Sequence, residues 1–173
     1  MVDIPLIIEA ILEEYQLPWF GTHGVIHWAR VYENGIRLAE TTGAEAQVVT
    51  LFALFHDSKR INESIDPGHG QRGAEYAAAL RGDIFDLPDE LFELLYDACA
   101  HHTDGHTNAD ITVQTCWDAD RLDLARAGIQ PKARRLCTPA AKDSELIQWA
   151  NQRSLSNFAP EFLYNEWLPN HEG

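Results

Sequence analysis

Apolar residues recur at three- and four-residue intervals along almost the whole chain, and strict alternation is scarce. That pattern predicts helices throughout. A first helix covers about residues 4–15 and is closed by "QLPWFGTHG"; a second runs from about Val25 to Glu40 and stops at "TTG". The third spans Ala44 to Lys59, ahead of the loop "INESIDPGHG". Helices from about Gln71 to Arg81 and from Pro88 to His101 follow, then the loop "TDGHTNAD". "ITVQTCWDADRLDLARAG" forms a helix from about Ile111, ended by Gly128. A last helix covers about Ser144 to Leu155, with a short turn through Phe162. No repeat, low-complexity stretch or internal linker interrupts the series, so the expectation is one all-α domain, a helical bundle over residues 1–173.

The third helix poses a problem of solvation. Val48 to Phe55 is apolar apart from Thr50, yet the run ends in adjacent His56 and Asp57. A carboxylate leaving water there costs several kcal/mol unless a hydrogen-bonded neighbour, a basic side chain or a metal ion compensates it.

Composition narrows the classes. Hydrophobic content of 45% with 23% charged residues is ordinary for a globular protein. No segment approaches the ~20 apolar residues of a membrane span. The start, "MVDIPLIIEAILEEYQ", carries Asp3, Glu9, Glu13 and Glu14 and reads as an amphipathic helix rather than a signal peptide. Cys99, Cys116 and Cys137 form no CxxC pair and are expected to be reduced thiols of a cytoplasmic protein. A net charge of −14 argues against a duplex nucleic acid partner. It leaves room for a small anionic substrate if cations line the pocket, and a bound metal would supply positive charge locally.

Histidines fall at His23, His27, His56, His69, His101, His102, His106 and His171; Asp57, Asp118 and Asp120 lie beside large apolar residues. Imidazoles and carboxylates suit borderline and hard divalent ions, and facing helices can bring such ligands together inside a bundle. Neighbouring His56 and Asp57 sit about 100° apart on a helix and can reach one ion, while the second oxygen of Asp57 is free to bridge another. Each residue also has a plainer reading. His27 can be a core histidine, and Asp57 can pair with Lys59 or Arg60. His69 can be a solvated loop residue, and His101 and His102 can complement a helix dipole. Asp123 beside Arg126 reads as a surface ion pair, His23 and His106 as exposed or pocket-wall residues, and Trp19 and Phe20 as the mouth of a pocket.

The order His27, His56-Asp57, Asp120 resembles the H…HD…D signature of the HD-domain superfamily of metal-dependent phosphohydrolases. "HDSKR" resembles that family's HD tail, "HGQRGAEYA" the segment after it, and "DADRLDLARAG" its final aspartate helix. The resemblance covers about Trp19 to Gly128; the extension from Pro131 has no counterpart in it. "HHTDG" is similar to part of the HD-GYP cyclic-dinucleotide phosphodiesterases, but the Gly-Tyr-Pro is absent. The "ED" motif of HD hydrolases acting on guanosine tetraphosphate is also missing.

The resemblance implies that His27, His56, Asp57 and Asp120 bind one divalent ion (Mn, Fe, Co, Ni, Zn or Mg). Asp118 competes with Asp120, which is preferred because it adjoins "RLD". His69 and His101, with His102 behind them, match the positions of a second ion in binuclear members. The implied activity is hydrolysis of a phosphate ester or anhydride, in a small nucleotide, by a metal-activated water. Asp57, Lys59 and His69 are the catalytic candidates, and Lys59, Arg60, Arg72 and Arg121 the substrate-binding ones. An HD-fold di-iron oxygenase and a non-catalytic metal- or nucleotide-binding regulatory module are the alternatives; a purely structural zinc fits a set without thiolates poorly. The metal, the substrate and the oligomeric state stay open. The Trp149, Phe158, Phe162, Tyr164 and Trp167 group covers either the core or a partner subunit.

Overall fold

The structure is a computed structural model in which residues 2–169 are described; His171 lies outside them. The described residues form α1 (Ile4–Glu14), α2 (Val25–Thr42), α3 (Ala46–Phe55), α4 (His69–Leu80), α5 (Asp89–His101), α6 (Ile111–Arg121) and α7 (Ser144–Leu155). Short 3-10 turns lie at Leu124–Ala127 and Ala133–Arg135, and a single π-helical turn at Leu163–Trp167. The fold is all-α, as the periodicity predicts, and the described residues contain no strand.

Helix α3 sits at the centre because it has no polar face: every residue from Val48 to Phe55 is buried. Helices α2, α5 and α6 pack around it, and α4 packs on α5. The outer helices carry ordinary signals at their ends. Asp110 and Asp143 cap α6 and α7 by accepting from Thr112 N and from Glu145 N and Leu146 N. Gly43, at φ 75°, closes α2 in the left-handed conformation.

Helix α3 ends four residues earlier than the pattern predicts. Residues 56–59 form a turn in which Ser58 donates through both N and Oγ to Phe55 O, at 3.1 and 2.8 Å. That local competition for the last carbonyls stops the helix, leaving His56 as its cap and Asp57 just beyond it. Helix α4 begins two residues early, at His69, directly after Gly68 at φ 80°.

The extension beyond Pro131 folds back on the bundle. Leu136, Ala141, Leu146 and Ala150 make a satellite core with Leu38 and Leu122. Of the late aromatic residues, Phe162 and Trp167 lie edge-on to Tyr32, at 5.5 and 5.2 Å between ring centroids. They therefore cover this chain's own core, while Phe158 and Tyr164 stay exposed. No helix of the described residues is long and apolar enough to cross a membrane.

Candidate metal centre

Five helix ends meet at one point. The first turn of α2 contributes His27, the end of α3 His56 and Asp57, the start of α4 His69, the end of α5 His102, and the last turn of α6 Asp120. Around the first group, His27 Nε2 lies 3.0 Å from His56 Nε2, 3.4 Å from Asp57 Oδ2 and 3.3 Å from Asp120 Oδ1. His56 Nε2 is 3.5 and 3.6 Å from the same two oxygens. Asp57 turns its other oxygen to a second group: Oδ1 lies 3.1 Å from His69 Nε2 and 3.6 Å from His102 Nε2, and those two nitrogens are 3.0 Å apart. Asp57 thus joins two adjoining ligand sets.

The opposite ring nitrogens fix the tautomers. His56 Nδ1 donates to Phe52 O and Ala53 O at 3.0 and 3.1 Å, His69 Nδ1 to Asp66 O at 2.7 Å, and His102 Nδ1 to Cys99 O at 2.7 Å. A carbonyl only accepts, so each Nδ1 carries the proton. His27 Nδ1 donates likewise to Asp123 Oδ2 at 2.7 Å. In the neutral rings all four Nε2 atoms therefore present lone pairs, and within each group two of them face each other at 3.0 Å. Facing lone pairs repel unless positive charge lies between them. The cluster can hold a cation there, and orienting imidazoles through the far nitrogen is how protein metal sites are supported.

Electrostatics agree. Burial raises the cost of ionising Asp57, yet His56, His102, His27 and His69 around it hold its carboxyl well below the usual range. Asp120 is held down too, against burial, by His27, His56 and His102. Burial and Arg126 oppose a charge on His27, but Asp120, Asp123 and Asp57 outweigh them and lift its pKa to about 9. Burial, helped by His27 and His102, pushes His56 down to about 4 despite Asp57 and Asp120. Without a metal, a proton on His27 takes the cation's place.

Compared with models of known protein families, with curated proteins and with solved structures, the chain matches none. The buried set His27, His56, Asp57, His69 and His102, with Asp120 beside it, can hold a metal ion.

Other expected site residues lie elsewhere. Lys59 pairs with Glu14 and lies over the Tyr76 ring, 3.9 Å from its centroid, so it points at α1 and not at the cluster. Arg72 is consumed by Asp66 Oδ1, Pro67 O and Lys59 O. Arg60 does reach the site: its Nη1 lies against the His69 ring, 3.3 Å from Nε2, the nitrogen free to accept, and its Nη2 donates to Ser64 O at 2.7 Å. His101 faces outward and pairs with Asp97 and Asp104; neighbours on a helix diverge by about 100°, so one member of the pair turns in, and it is His102. Asp118 also leaves the cluster. It accepts from Cys137 N, Thr138 N and Thr138 Oγ1, at 2.6, 2.8 and 2.8 Å. His23 bonds Glu63, and His106 is exposed. Trp19 packs against the main core, and Phe20 stacks on Tyr164 beside a cavity that touches Arg30 and Arg126 rather than the cluster.

The sequence reading misplaces Asp123 and passes over Arg134 and Arg135. Asp123 is no surface residue: it is buried, and it holds Arg30 through both oxygens as well as His27. The buried Arg30, one turn after His27, was the signal that a carboxylate had to face it. Arg134 and Arg135 come from the extension. With Arg121 they line a cavity of about 330 Å³ that reaches His102, Asp120 and Leu124. Among the described residues, the arginines and lysine in ion pairs are Arg30, Lys59, Arg72, Arg81, Arg126 and Arg153. The three arginines of the cavity are thus without carboxylate partners in a chain of charge −14.

Proposed function

We propose that this protein is a metal-dependent phosphohydrolase that cleaves a small phosphate ester or anhydride, with small nucleotides as the first substrate class to test. The observation that carries this reading is the cavity itself. It opens on one ligand of each group, Asp120 and His102, and on three arginines with no carboxylate to neutralise them. Two imidazoles in each group favour a first-row transition ion over magnesium. Such ions, when bound, would polarise a phosphoryl oxygen and supply an activated water. The chain's own residues do the rest. Asp57 fixes the two groups relative to each other. In this reading Arg134 and Arg135 bind phosphoryl oxygens and offset charge that builds on them, while Arg121, tied to Arg135 O and His106 O, adds positive charge to the wall. Asp66 O, accepting from His69 Nδ1, keeps that imidazole in place, and Arg60 brings positive charge beside its Nε2.

A di-iron oxygenase would use the same cluster but has no need of three unpaired arginines. A regulatory module would use the arginines without turnover. Metal analysis of the purified protein, then phosphate release from nucleotides, pyrophosphate and simple esters with each metal added back, separates the three. The expected result is turnover that Asp57→Asn abolishes and His101→Ala preserves. Tight phosphate binding without turnover, or oxygen consumption with iron, would replace this reading.

A further inference from the structure

A second cavity, of about 320 Å³, adjoins the arginine-lined one and shares Arg121, Leu124 and Arg135 with it. Its character is different. Leu124, Ile129, Pro131 and Leu136 supply aliphatic walls, with Gln130 and Lys132 beside them. Ile129 is a large apolar side chain left 53% exposed here, although its N–H donates to Leu124 O at 3.2 Å and holds it close to the other walls. Leu136 is fully packed into the satellite core, so that side of the cavity is fixed. The partition between the cavities is braced as well. Arg121 donates to Arg135 O at 2.9 Å and to His106 O at 2.7 Å, which ties the α5–α6 loop to the extension.

We infer that this second cavity receives the organic half of the phosphorylated substrate, and that the part lodged there is an alkyl or aryl group (in a nucleotide, the base end) rather than a sugar or a second phosphate. The inference rests on the proposed placement of the phosphate in the arginine-lined cavity. A substituent passing Arg121 and Arg135 meets aliphatic carbon. Hydrocarbon removed from water there is stabilised in proportion to its area, whereas hydroxyl groups set against the carbons of Leu124, Ile129, Pro131 and Leu136 would lose water without gaining partners. Ile129, half exposed at the cavity's edge, becomes the covering wall.

Calorimetric titration of the metal-loaded full chain with methyl-, propyl- and hexylphosphonate tests this without turnover. The expected result is an affinity that rises about fourfold per added methylene until the cavity is full, and a dependence on chain length that flattens in Ile129→Asp. This side chain is half exposed, so the variant is expected to fold, and circular dichroism checks that it does. If methylphosphonate binds and longer chains bind no more tightly, the inference is overturned while the phosphohydrolase reading stands. If no phosphonate binds at any length, both fall.

Discussion

Asp123 Oδ2 lies 2.7 Å from His27 Nδ1, and the same carboxylate accepts from Arg30 Nε and Nη2 at 2.7 and 3.1 Å. Arg30 in turn holds Asn157 Oδ1 and Phe158 O. The orientation of one candidate ligand is therefore tied, through a buried ion pair, to the segment that follows α7.

Asp123→Asn preserves the shape but weakens this support, and the divalent metal affinity of the His27 group is expected to fall about 10- to 100-fold. Asp123→Ala, which strands a buried guanidinium, should in addition cost about 3–5 kcal/mol of stability. Metal titration and urea unfolding of the two variants separate these effects; unchanged affinity in both would contradict the orienting role.

Gly70 allows α4 to approach the end of α5. A Cβ there would lie 2.4 Å from Cys99 O and 2.9 Å from His102 Nδ1, disturbing the bond that orients His102. Gly70→Ala should therefore lose the metal of the His69–His102 group and keep the other, read as one bound equivalent in place of two. Two tightly held equivalents would refute it.

Asp118 and Asp120 are two residues apart on α6, about 200° around the helix, and serve different ends. Asp118→Ala frees the 137–138 backbone and loosens Arg134 and Arg135 just before it. KM for a phosphate substrate is expected to rise with metal content unchanged, at a stability cost of about 1–3 kcal/mol. Asp120→Ala should lower metal content instead. Identical effects of the two substitutions would contradict the division.

In the metal-free protein the cluster sets the pH dependence of stability. His27, raised from 6.5 to about 9, contributes stability that is complete below pH 6.5 and lost as the pH rises through 9. His56, lowered from 6.5 to about 4, is buried neutral. The unfolded chain takes up its proton first, so stability falls as the pH drops from 6.5 toward 4. The urea midpoint of chelated protein should thus peak near pH 6.5, and added metal should lift the alkaline side, where the ion replaces the proton on His27. A midpoint indifferent to pH between 6.5 and 9 would count against this.

The helices were legible because hydrophobic periodicity marks them directly; all seven starts lie within two residues of the pattern, and those of α2, α6 and α7 coincide with it. His56 and Asp57 were legible because they end a wholly apolar run where a polar pair is out of place; His27 and Asp120 were singled out only through the order of the motif that the chain resembles. What failed was the direction in which side chains turn. Lys59 is two residues from Asp57, but the turn after Phe55 sends it toward Glu14. Asp123 does keep Arg126 as its i, i+3 partner, at 3.9 Å, but the pair is not at the surface: the carboxylate is buried and turned onto Arg30 and His27. Arg134 and Arg135 reach the cavity through the pairing of Asp118 with residues 137 and 138, a contact that no periodicity announces.

Titration of chelator-stripped protein with a transition ion, followed by counting bound equivalents, tests the shared carboxylate most directly. Two equivalents per chain are predicted for the natural sequence, one for His69→Ala, and loss of tight binding at both groups for Asp57→Ala. Binding in Asp57→Ala equal to that of the natural chain, or no tight binding in either, would contradict it.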